Sequence, residues 1–318
     1  MPQLIAGFDA GQTHTRCRLA LVQAAGSNSR LEPLAEGSGS GVSHLAAADG
    51  PARFQTALTS SLAAARAQLS EYNLSPLAAA AVGASGVEQG SELQGRGQSL
   101  AAAALGLAPA MVAVTGDERT ALAGAFGAGA GVLVISGTGA IAVGRDGAGH
   151  SHRCGGWGWL LDGAGSAMDI GRDGLAASVA MADGRRPETP LRSALWQALG
   201  ADSAQAVKAA VVASDFGAAG FARLAPVVDR LAGTGDPEAI VIVQRSATAL
   251  AELVVGVATA LAMPAAPVCP VGGALTHLRQ LRRHFEQSLQ LSLPGASLVS
   301  PSGDACSGAL TLAAALLD

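Results

Sequence analysis

The sequence predicts an α/β protein whose fold contains two similar halves. Two hairpins indicate the duplication: one runs from Leu4 to Val22 and the other from Val132 to Gly144, and in each a short glycine-containing turn separates two apolar runs. This pattern is typical of antiparallel strands. The length of 318 residues is a third indication, because it suits two domains of ordinary size.

The composition favours a sizeable core and argues against several classes of partner. Hydrophobic residues make up 49% of the chain but aromatic residues only 3%, so alanine, leucine and valine must build the core. The net charge of −4 gives no electrostatic reason to expect a nucleic acid or a membrane as a partner. The 42 glycines have no period and concentrate in short turns, which excludes a collagen-like chain.

The cysteines and the N-terminus bear on location. The four cysteines are far apart and form no CxxC pair: Cys17, Cys154, Cys269 and Cys306. We therefore expect reduced thiols, no zinc site and a cytoplasmic protein. No basic segment followed by an apolar one begins the chain, so no signal peptide is expected. The apolar tract from Ala239 to Met263 contains Arg245 and Glu252, which favours a buried helix over a membrane span.

Strands and helices alternate along the chain. Period-two and short apolar runs predict strands at 4–9, 17–23, 78–83, 111–115, 132–135, 140–143 and 267–271. Apolar residues at helical spacing predict helices at 51–69, 91–105, 119–126, 165–181, 238–262, 275–291 and 306–317. The intervening residues 182–238 are predicted to form a mostly helical insertion.

Two glycine-rich turns are candidates for binding phosphate. One joins the strands of the second hairpin, and the other follows Asp9 in the first. Glycines let backbone N–H groups converge on an anion, and a threonine hydroxyl can assist them. Asp9 ends the first strand, where its carboxylate could hold a magnesium ion through water. The alternative is that both are ordinary turns. The candidate phosphate-binding residues are Gly11, Gln12, Thr13, Gly137, Thr138 and Gly139.

Asp117 has two possible roles. It follows the predicted strand 111–115 and precedes the predicted helix 119–126. As an N-cap it would accept hydrogen bonds from free N–H groups of that helix. As a general base it would accept a proton from a substrate hydroxyl during phosphoryl transfer. Its place in the chain between the two candidate phosphate turns favours the second role.

Three other segments could line a ligand site. Residues 36–44 form a Gly/Ser run that is either a hydroxyl-lined loop or a flexible linker. Residues 152–172 interleave glycines with two tryptophans and two aspartates, which suits a loop around a small polar ligand. The alternative is that Trp157 and Trp159 are core fillers. Gly272-Gly273 follows a predicted strand, where adenine or ribose could lie against bare backbone, or where the chain simply turns into a helix.

Taken in order, these motifs make the chain resemble the N-acetylglucosamine kinase and BadF/BadG/BcrA/BcrD-type ATPase family. Residues 9–15 are similar to its first phosphate motif, Gly116-Asp117 to the segment with its catalytic aspartate, and residues 137–139 to its second phosphate motif. Gly272-Gly273 is similar to its adenosine motif. Residues 155–158, 165–166 and 169–172 resemble its segment around the sugar.

The resemblance implies two ribonuclease-H-like domains of the actin-like ATPase type, with a nucleotide cleft between them. It implies domains at 1–116, rejoined by the helix 306–318, and at 117–305. It further implies ATP and Mg²⁺, a closure of the domains that excludes water, and a possible homodimer. Asp117 would be the catalytic base, with Asp9 on magnesium through water and Gly272 and Gly273 on the nucleotide. The implied sugar-binding residues are Ser43, Gly156, Trp157, Gly158 and Asp162.

The chain departs from the family pattern around the sugar. The family reads GDEGS or GDAGS where this chain has Asp162-Gly-Ala-Gly-Ser166, so its aspartate is displaced by one residue and Gly163 takes the family position. Ser43 stands in place of a sugar-binding asparagine, and His14 in place of a lysine. The nucleotide motifs are therefore better preserved than the sugar motifs.

The resulting hypothesis is an ATP-dependent kinase of a small-molecule amino sugar, with N-acetylglucosamine or glucosamine phosphorylated at the C6 hydroxyl. Two alternatives remain at this point. One is an ATPase of the BadF type that drives an iron–sulfur partner protein. The other is a nucleotide-binding regulator without kinase activity, for which the displaced Asp162 and the missing asparagine are the reasons.

Overall fold

A computed structural model describes residues 2–23, 30–69 and 75–317. The chain forms two compact units. Unit 1 comprises Met1–Gly129 and Pro301–Asp318, and unit 2 comprises Ala130–Ser300. Each unit is an α/β structure with a five-stranded mixed sheet, which confirms the predicted fold class.

In unit 1 the sheet has the order β3-β2-β1-β4-β5. Its strands are β1 (Gln3–Ala10), β2 (His14–Gln23), β3 (Arg30–Ser40), β4 (Leu77–Ala84) and β5 (Val112–Gly116). The first three are antiparallel, and β4 and β5 run parallel to β1. The helices are α1 (Gly50–Arg66), α2 (Glu92–Leu105), α3 (Asp117–Phe126) and, from the end of the chain, α12 (Ala305–Ala314), with a 3₁₀ turn at Pro109–Met111.

The two faces of this sheet follow from the alternation of side chains along β1. Leu4 and Phe8 point to one face, where they pack in a cluster with Phe54 and Leu58 of α1. Ile5 points to the other face and packs with Leu310 of α12. Because side chains alternate with a period of two, Asp9 lies on the α12 face together with Ile5.

Unit 2 repeats the topology of unit 1. Its sheet has the order β10-β9-β6-β7-β8, with β6, β7 and β8 antiparallel and β9 and β10 parallel to β6. The strands are β6 (Gly131–Ser136), β7 (Ala140–Arg145), β8 (Ser151–Gly155), β9 (Pro267–Val271) and β10 (Ser297–Leu298). The duplication predicted from the two hairpins is therefore confirmed.

The helices of unit 2 surround one hydrophobic cluster. They are α4 (Ala167–Ala182), α5 (Pro190–Leu199), α6 (Ala204–Val211), α7 (Gly217–Ala222), α8 (Ala225–Gly233), α9 (Pro237–Ala260), α10 (Gly273–His277) and α11 (Arg279–Ser292). α9 is apolar and long enough to cross a membrane, which is weak evidence because core helices pass the same test. One face of α9, including Val243, Leu250 and Val254, is fully buried, as expected for a core helix.

Three details differ from the sequence prediction. Helix α3 lies in unit 1 although residues 117–126 were assigned to the second domain, because α3 packs against α12 and β4. The predicted helix 275–291 is interrupted at Leu278, whose extended backbone separates α10 from α11. The strand β8 lies in a segment that was interpreted as a ligand loop; it pairs with β7 in the position that β3 holds beside β2.

Candidate active site

In unit 1 the predicted catalytic and phosphate residues lie at one end of the sheet. Asp9 of β1 is beside Gly83 of β4, and Ala84 of β4 is beside Gly116 of β5. The three strands are parallel, so their carboxyl ends meet at one edge, which is where open α/β sheets place ligands. The loops that follow them are also joined, since the backbone N–H of Ser85 donates to the carbonyl of Ala10 at 3.2 Å.

Asp117 is the first residue of α3. The residue in the N-cap position is Gly116, and no side chain caps this helix. The alternative N-cap role of Asp117 is therefore wrong. Its carboxylate Oδ2 instead accepts a hydrogen bond from the Ser85 hydroxyl at 2.7 Å. Asp117 is half-buried, and the helix N-terminus stabilises its negative charge while leaving it able to meet a ligand.

Asp9 is held by an arginine. Arg16 faces it across the β1–β2 pair and donates to its Oδ2 at 2.9 Å. The other side of the Arg16 guanidinium contacts Asp304 at 3.1 Å, and Arg18 contacts Asp304 at 2.7 Å. The hydrogen bond to Asp9 and the nearby carboxylates raise the pKa of Arg16 above its usual range, although burial opposes this. Asp9 thus keeps a carboxylate oxygen that Arg16 does not bind.

That free oxygen is the feature of Asp9 that fits a magnesium ion. Mg²⁺ is commonly bound through one or two carboxylates, with waters and substrate phosphates completing the shell. Asp9 is 26% exposed, so a hydrated ion can reach it. Among residues 2–23, 30–69 and 75–317, no group of three or more His, Cys, Asp and Glu side chains is arranged to hold a metal ion.

The first phosphate turn and the loop that carries Ser43 are in contact. The backbone N–H of Val42 donates to the carbonyl of Gly11 at 3.0 Å. Gln12 and Thr13 are exposed at the tip of the hairpin. Ser43 is half-buried and its hydroxyl donates to Asp49 at 3.3 Å. The loop after β3 is therefore an ordered neighbour of the phosphate turn rather than a flexible linker.

In unit 2 three predicted segments converge at the end of β6. The turn Gly137–Gly139 leaves Thr138 exposed. The backbone N–H of Ala167, the first residue of α4, donates to the carbonyl of Gly137 at 2.8 Å. Gly272 follows β9, has φ +96°, and a Cβ there would lie 2.3 Å from the carbonyl oxygen of Ser136. Only glycine fits this position, so the chain after β9 can lie directly against the end of β6.

The tryptophan-containing segment is exposed. Trp157 is 60% and Trp159 is 38% exposed, so the alternative that they are core fillers is wrong. The guanidinium of Arg153 lies over the Trp157 ring at 4.4 Å from its centroid, which is a cation–π contact. The backbone N–H of Asp162 donates to the carbonyl of Gly158 at 2.8 Å, so the segment closes on itself and leaves Gly156 exposed.

Sequence reasoning missed three partners of the predicted residues: Ser85, Arg16 and Asp304. The signal for Arg16 was present, because a hairpin turn confined to residues 11–13 places Arg16 opposite Asp9. Ser85 and Asp304 reach their partners through tertiary packing, which no local pattern shows. A cavity of about 710 Å³ in unit 2 lies between α4, α6 and α7, and none of the predicted site residues lines it.

These observations define a class of protein. Two copies of a mixed sheet, each with a glycine-containing turn after its first strand, are the architecture of the actin-like ATPases and sugar kinases. A protein from Chromobacterium violaceum provisionally named an N-acetylglucosamine kinase has this fold: its crystal structure matches with a TM-score of 0.75 and 31% identity, over 98% of this chain and 99% of that chain.

Comparison with family models gives the family. The model of the BadF/BadG/BcrA/BcrD ATPase family matches residues 6–313, and the chain belongs to this family. The N-acetylmuramic acid/N-acetylglucosamine kinase of Clostridium acetobutylicum is 30% identical over 204 residues, which are 64% of this chain and 67% of that protein. The N-acetyl-D-glucosamine kinase of Dictyostelium discoideum is 29% identical over 187 residues, which are 58% of this chain and 59% of that protein.

Proposed function

We propose that this protein is an ATP-dependent sugar kinase that phosphorylates an amino sugar, N-acetylglucosamine in the first place, at the C6 hydroxyl. The observation that carries the proposal is the Asp117 carboxylate, half-buried at the end of β5 and oriented by Ser85 beside the first phosphate turn. Membership of the ATPase family supports the use of ATP. The names of the two curated relatives and of the Chromobacterium structure support an amino sugar as the acceptor.

In this proposal Asp117 accepts the proton of the attacking hydroxyl. A sugar hydroxyl is a weak nucleophile, and a carboxylate that takes its proton as it attacks the γ-phosphorus of ATP lowers the barrier. The hydrogen bond from Ser85 fixes one carboxylate oxygen, so the other is free to face the acceptor. Orientation of this kind is a large part of enzymatic phosphoryl transfer.

The nucleotide is assigned to the two glycine-rich turns and to the bare backbone after β9. Gln12, Thr13, Thr138 and Gly139 are exposed and can donate to phosphate oxygens. Gly273 is exposed next to the tightly packed Gly272, which suits the flat face of a nucleoside. Asp9 would hold Mg²⁺ through water. When bound, the ion neutralises charge that develops on the phosphates.

The sugar is assigned to Ser43 in unit 1 and to residues 156–162 in unit 2. The exposed Trp157 ring offers a flat apolar surface, and the half-buried Asp162 offers a carboxylate for hydroxyl groups. A cytoplasmic location, a homodimer and the absence of nucleic-acid and membrane partners belong to the same proposal. Their support is the net charge of −4, four free cysteines and the family.

The test is a coupled ADP-release assay of the purified protein with MgATP and five acceptors: glucose, glucosamine, N-acetylglucosamine, N-acetylmannosamine and N-acetylmuramic acid. We expect turnover with an N-acetylated amino sugar. Asp117→Asn should lower kcat for that sugar by about 10²- to 10⁴-fold, the range for loss of a general base. Glu92→Gln is the matched control, because Glu92 is exposed in the first turn of α2 in the same unit.

Three outcomes would contradict the proposal in different ways. Asp117→Asn within about tenfold of the wild-type rate would remove the general-base role. ATP hydrolysis without transfer to any sugar would favour an ATPase of the BadF type. ATP binding without hydrolysis or transfer would favour a nucleotide-binding regulator, as the displaced Asp162 suggests.

A further inference from the structure

We propose that Asp169 is a positioning residue that fixes Gly165, and through Gly165 holds the segment Asp162–Ser166 against the turn Gly137–Gly139. This inference rests on the proposed function, which assigns the segment to the sugar and the turn to phosphate. The role is indirect, since Asp169 acts through the backbone of another residue.

Asp169 is a buried carboxylate with a full set of donors. It lies in the first turn of α4 and is 1% exposed. Arg172 donates to it at 2.6 Å and Arg245 of α9 at 2.8 and 2.9 Å. Ser246 of α9 donates at 3.2 Å, and the backbone N–H of Gly165 at 3.3 Å. Two arginines compensate the burial of the charge, so the carboxylate ties the start of α4 to α9.

Gly165 is the point where this anchor meets the phosphate turn. Its N–H is bound by Asp169, and its carbonyl accepts a hydrogen bond from the Ser136 hydroxyl at 2.7 Å. Ser136 is the last residue of β6, directly before the turn Gly137–Gly139. Gly165 has φ +87°, and a Cβ there would lie 2.6 Å from Leu250 of α9. The residue is therefore fixed by packing as well as by both of its peptide groups.

The same helix offers a natural comparison in Asp173. This carboxylate is one turn further along α4 and also pairs with Arg172 and Arg245. It makes no hydrogen bond to Gly165 in the described structure. A variant at Asp173 therefore disturbs the same two arginines without touching the segment Asp162–Ser166. This separates the proposed role of Asp169 from simple ion pairing.

The test compares Asp169→Asn, Ser136→Ala and Asp173→Asn in the full-length protein. Asparagine keeps the shape of Asp169 but has one acceptor oxygen, for which the arginines compete with Gly165. We expect hydrogen exchange of the amides at 163–167 to rise about tenfold in the first two variants and less than about twofold in Asp173→Asn. The affinity for a non-hydrolysable ATP analogue, measured by calorimetry, should fall about fivefold in the first two and stay unchanged in the third.

Two further readouts sharpen the test. In the kinase assay, the KM for the sugar should rise in Asp169→Asn and Ser136→Ala but not in Asp173→Asn. The double variant should lose less than the sum of the single losses, because both substitutions act through Gly165. Exchange and analogue binding need no sugar turnover, so they decide the inference even if the proposed kinase activity is wrong.

Equal changes in Asp169→Asn and Asp173→Asn, in exchange and in analogue affinity, would overturn the inference and leave Asp169 as an ion-pair partner. Unchanged exchange in Ser136→Ala would overturn it as well. If Asp169→Asn fails to fold, Ser136→Ala still decides the question, because it removes one hydrogen bond to Gly165 and leaves the charges intact.

Discussion

Single residues at the end of the unit 1 sheet show how a polar group acquires its orientation. Asp117 begins α3, and the Thr120 hydroxyl one turn later donates to its carbonyl at 2.9 Å. Its side chain is fixed from outside the helix, by the hydroxyl of Ser85 in the loop after β4. The backbone and the carboxylate are thus oriented by different elements, and only the first of these is local in sequence.

Ser85→Ala is expected to lower kcat of the sugar kinase reaction by about three- to tenfold, because a hydrogen bond to a charged group contributes about 1.5 kcal/mol or more. The KM for ATP should change little, since Ser85 acts on the carboxylate. Steady-state kinetics with the sugar found in the screen would measure both constants. Ser99→Ala is the control, because its hydroxyl bonds the exposed carbonyl of Gly95 within α2. A wild-type kcat in Ser85→Ala would contradict the positioning of Asp117 by Ser85.

At the scale of the element, the pairing of β1 with β2 and the docking of α12 create one ion network. Asp304 is the N-cap of α12 and accepts hydrogen bonds from Arg18 and from the N–H of Ser307. Burial alone would raise the pKa of Asp304. The hydrogen bonds from Arg18 and Ser307 outweigh burial and hold that pKa well below its usual range. Asp304 thus ties the last helix to the first hairpin.

A depressed pKa makes the contribution of Asp304 depend on pH. The carboxylate stabilises the folded state above its unfolded pKa of about 3.9, and the contribution is lost as the pH falls toward the folded pKa. Asp304→Asn should therefore lower the free energy of unfolding at neutral pH, and its difference from wild type should shrink below about pH 4. Urea unfolding at several pH values measures this. Asp202→Asn, at an exposed site, is the control. A difference that is constant with pH would show that the charge of Asp304 is not the cause.

On the scale of the whole molecule, unit 1 is built from both ends of the chain. Cys17 lies in β2 and Cys306 in α12, and both are fully buried. The Cys306 thiol lies 3.8 Å from the carbonyl oxygen of Arg16. Burial raises the pKa of Cys306 to about 12 and raises that of Cys17 as well. Neither thiol is expected to react while unit 1 is folded, because the thiolate is the reactive form.

Alkylation across a urea series tests this division of the chain. Cys17 and Cys306 should become reactive at the same urea concentration, because both are protected by one cooperative unit. Cys269 reports on unit 2, and the half-buried Cys154 should react first. Mass spectrometry of pulse-labelled protein identifies each site. Labelling of Cys306 at a clearly lower urea concentration than Cys17 would show that α12 detaches before the rest of unit 1.

Much of the fold could be predicted from sequence, because the strongest signals are local. The hairpins, the strand β9 and the helix α9 follow from apolar runs and their spacing. The break at Leu278 and the pairing of β8 were missed, since short elements carry little periodicity and are decided by their neighbours. For the site, the turns and Asp117 were found from residue type, whereas Ser85 and Asp304 were not.

The sequence by itself determined the two hairpins, the order of the motifs and the family, because each of these is written in consecutive residues. The tertiary structure decided which groups hold the functional side chains. Arg16 and Asp304 meet although they are 288 residues apart, and Asp169 meets Arg245 across 76 residues. Such contacts depend on how strands pair and helices dock. Residue spacing alone does not encode them, so the partners of Asp9, Asp117 and Gly165 appear only in the folded chain.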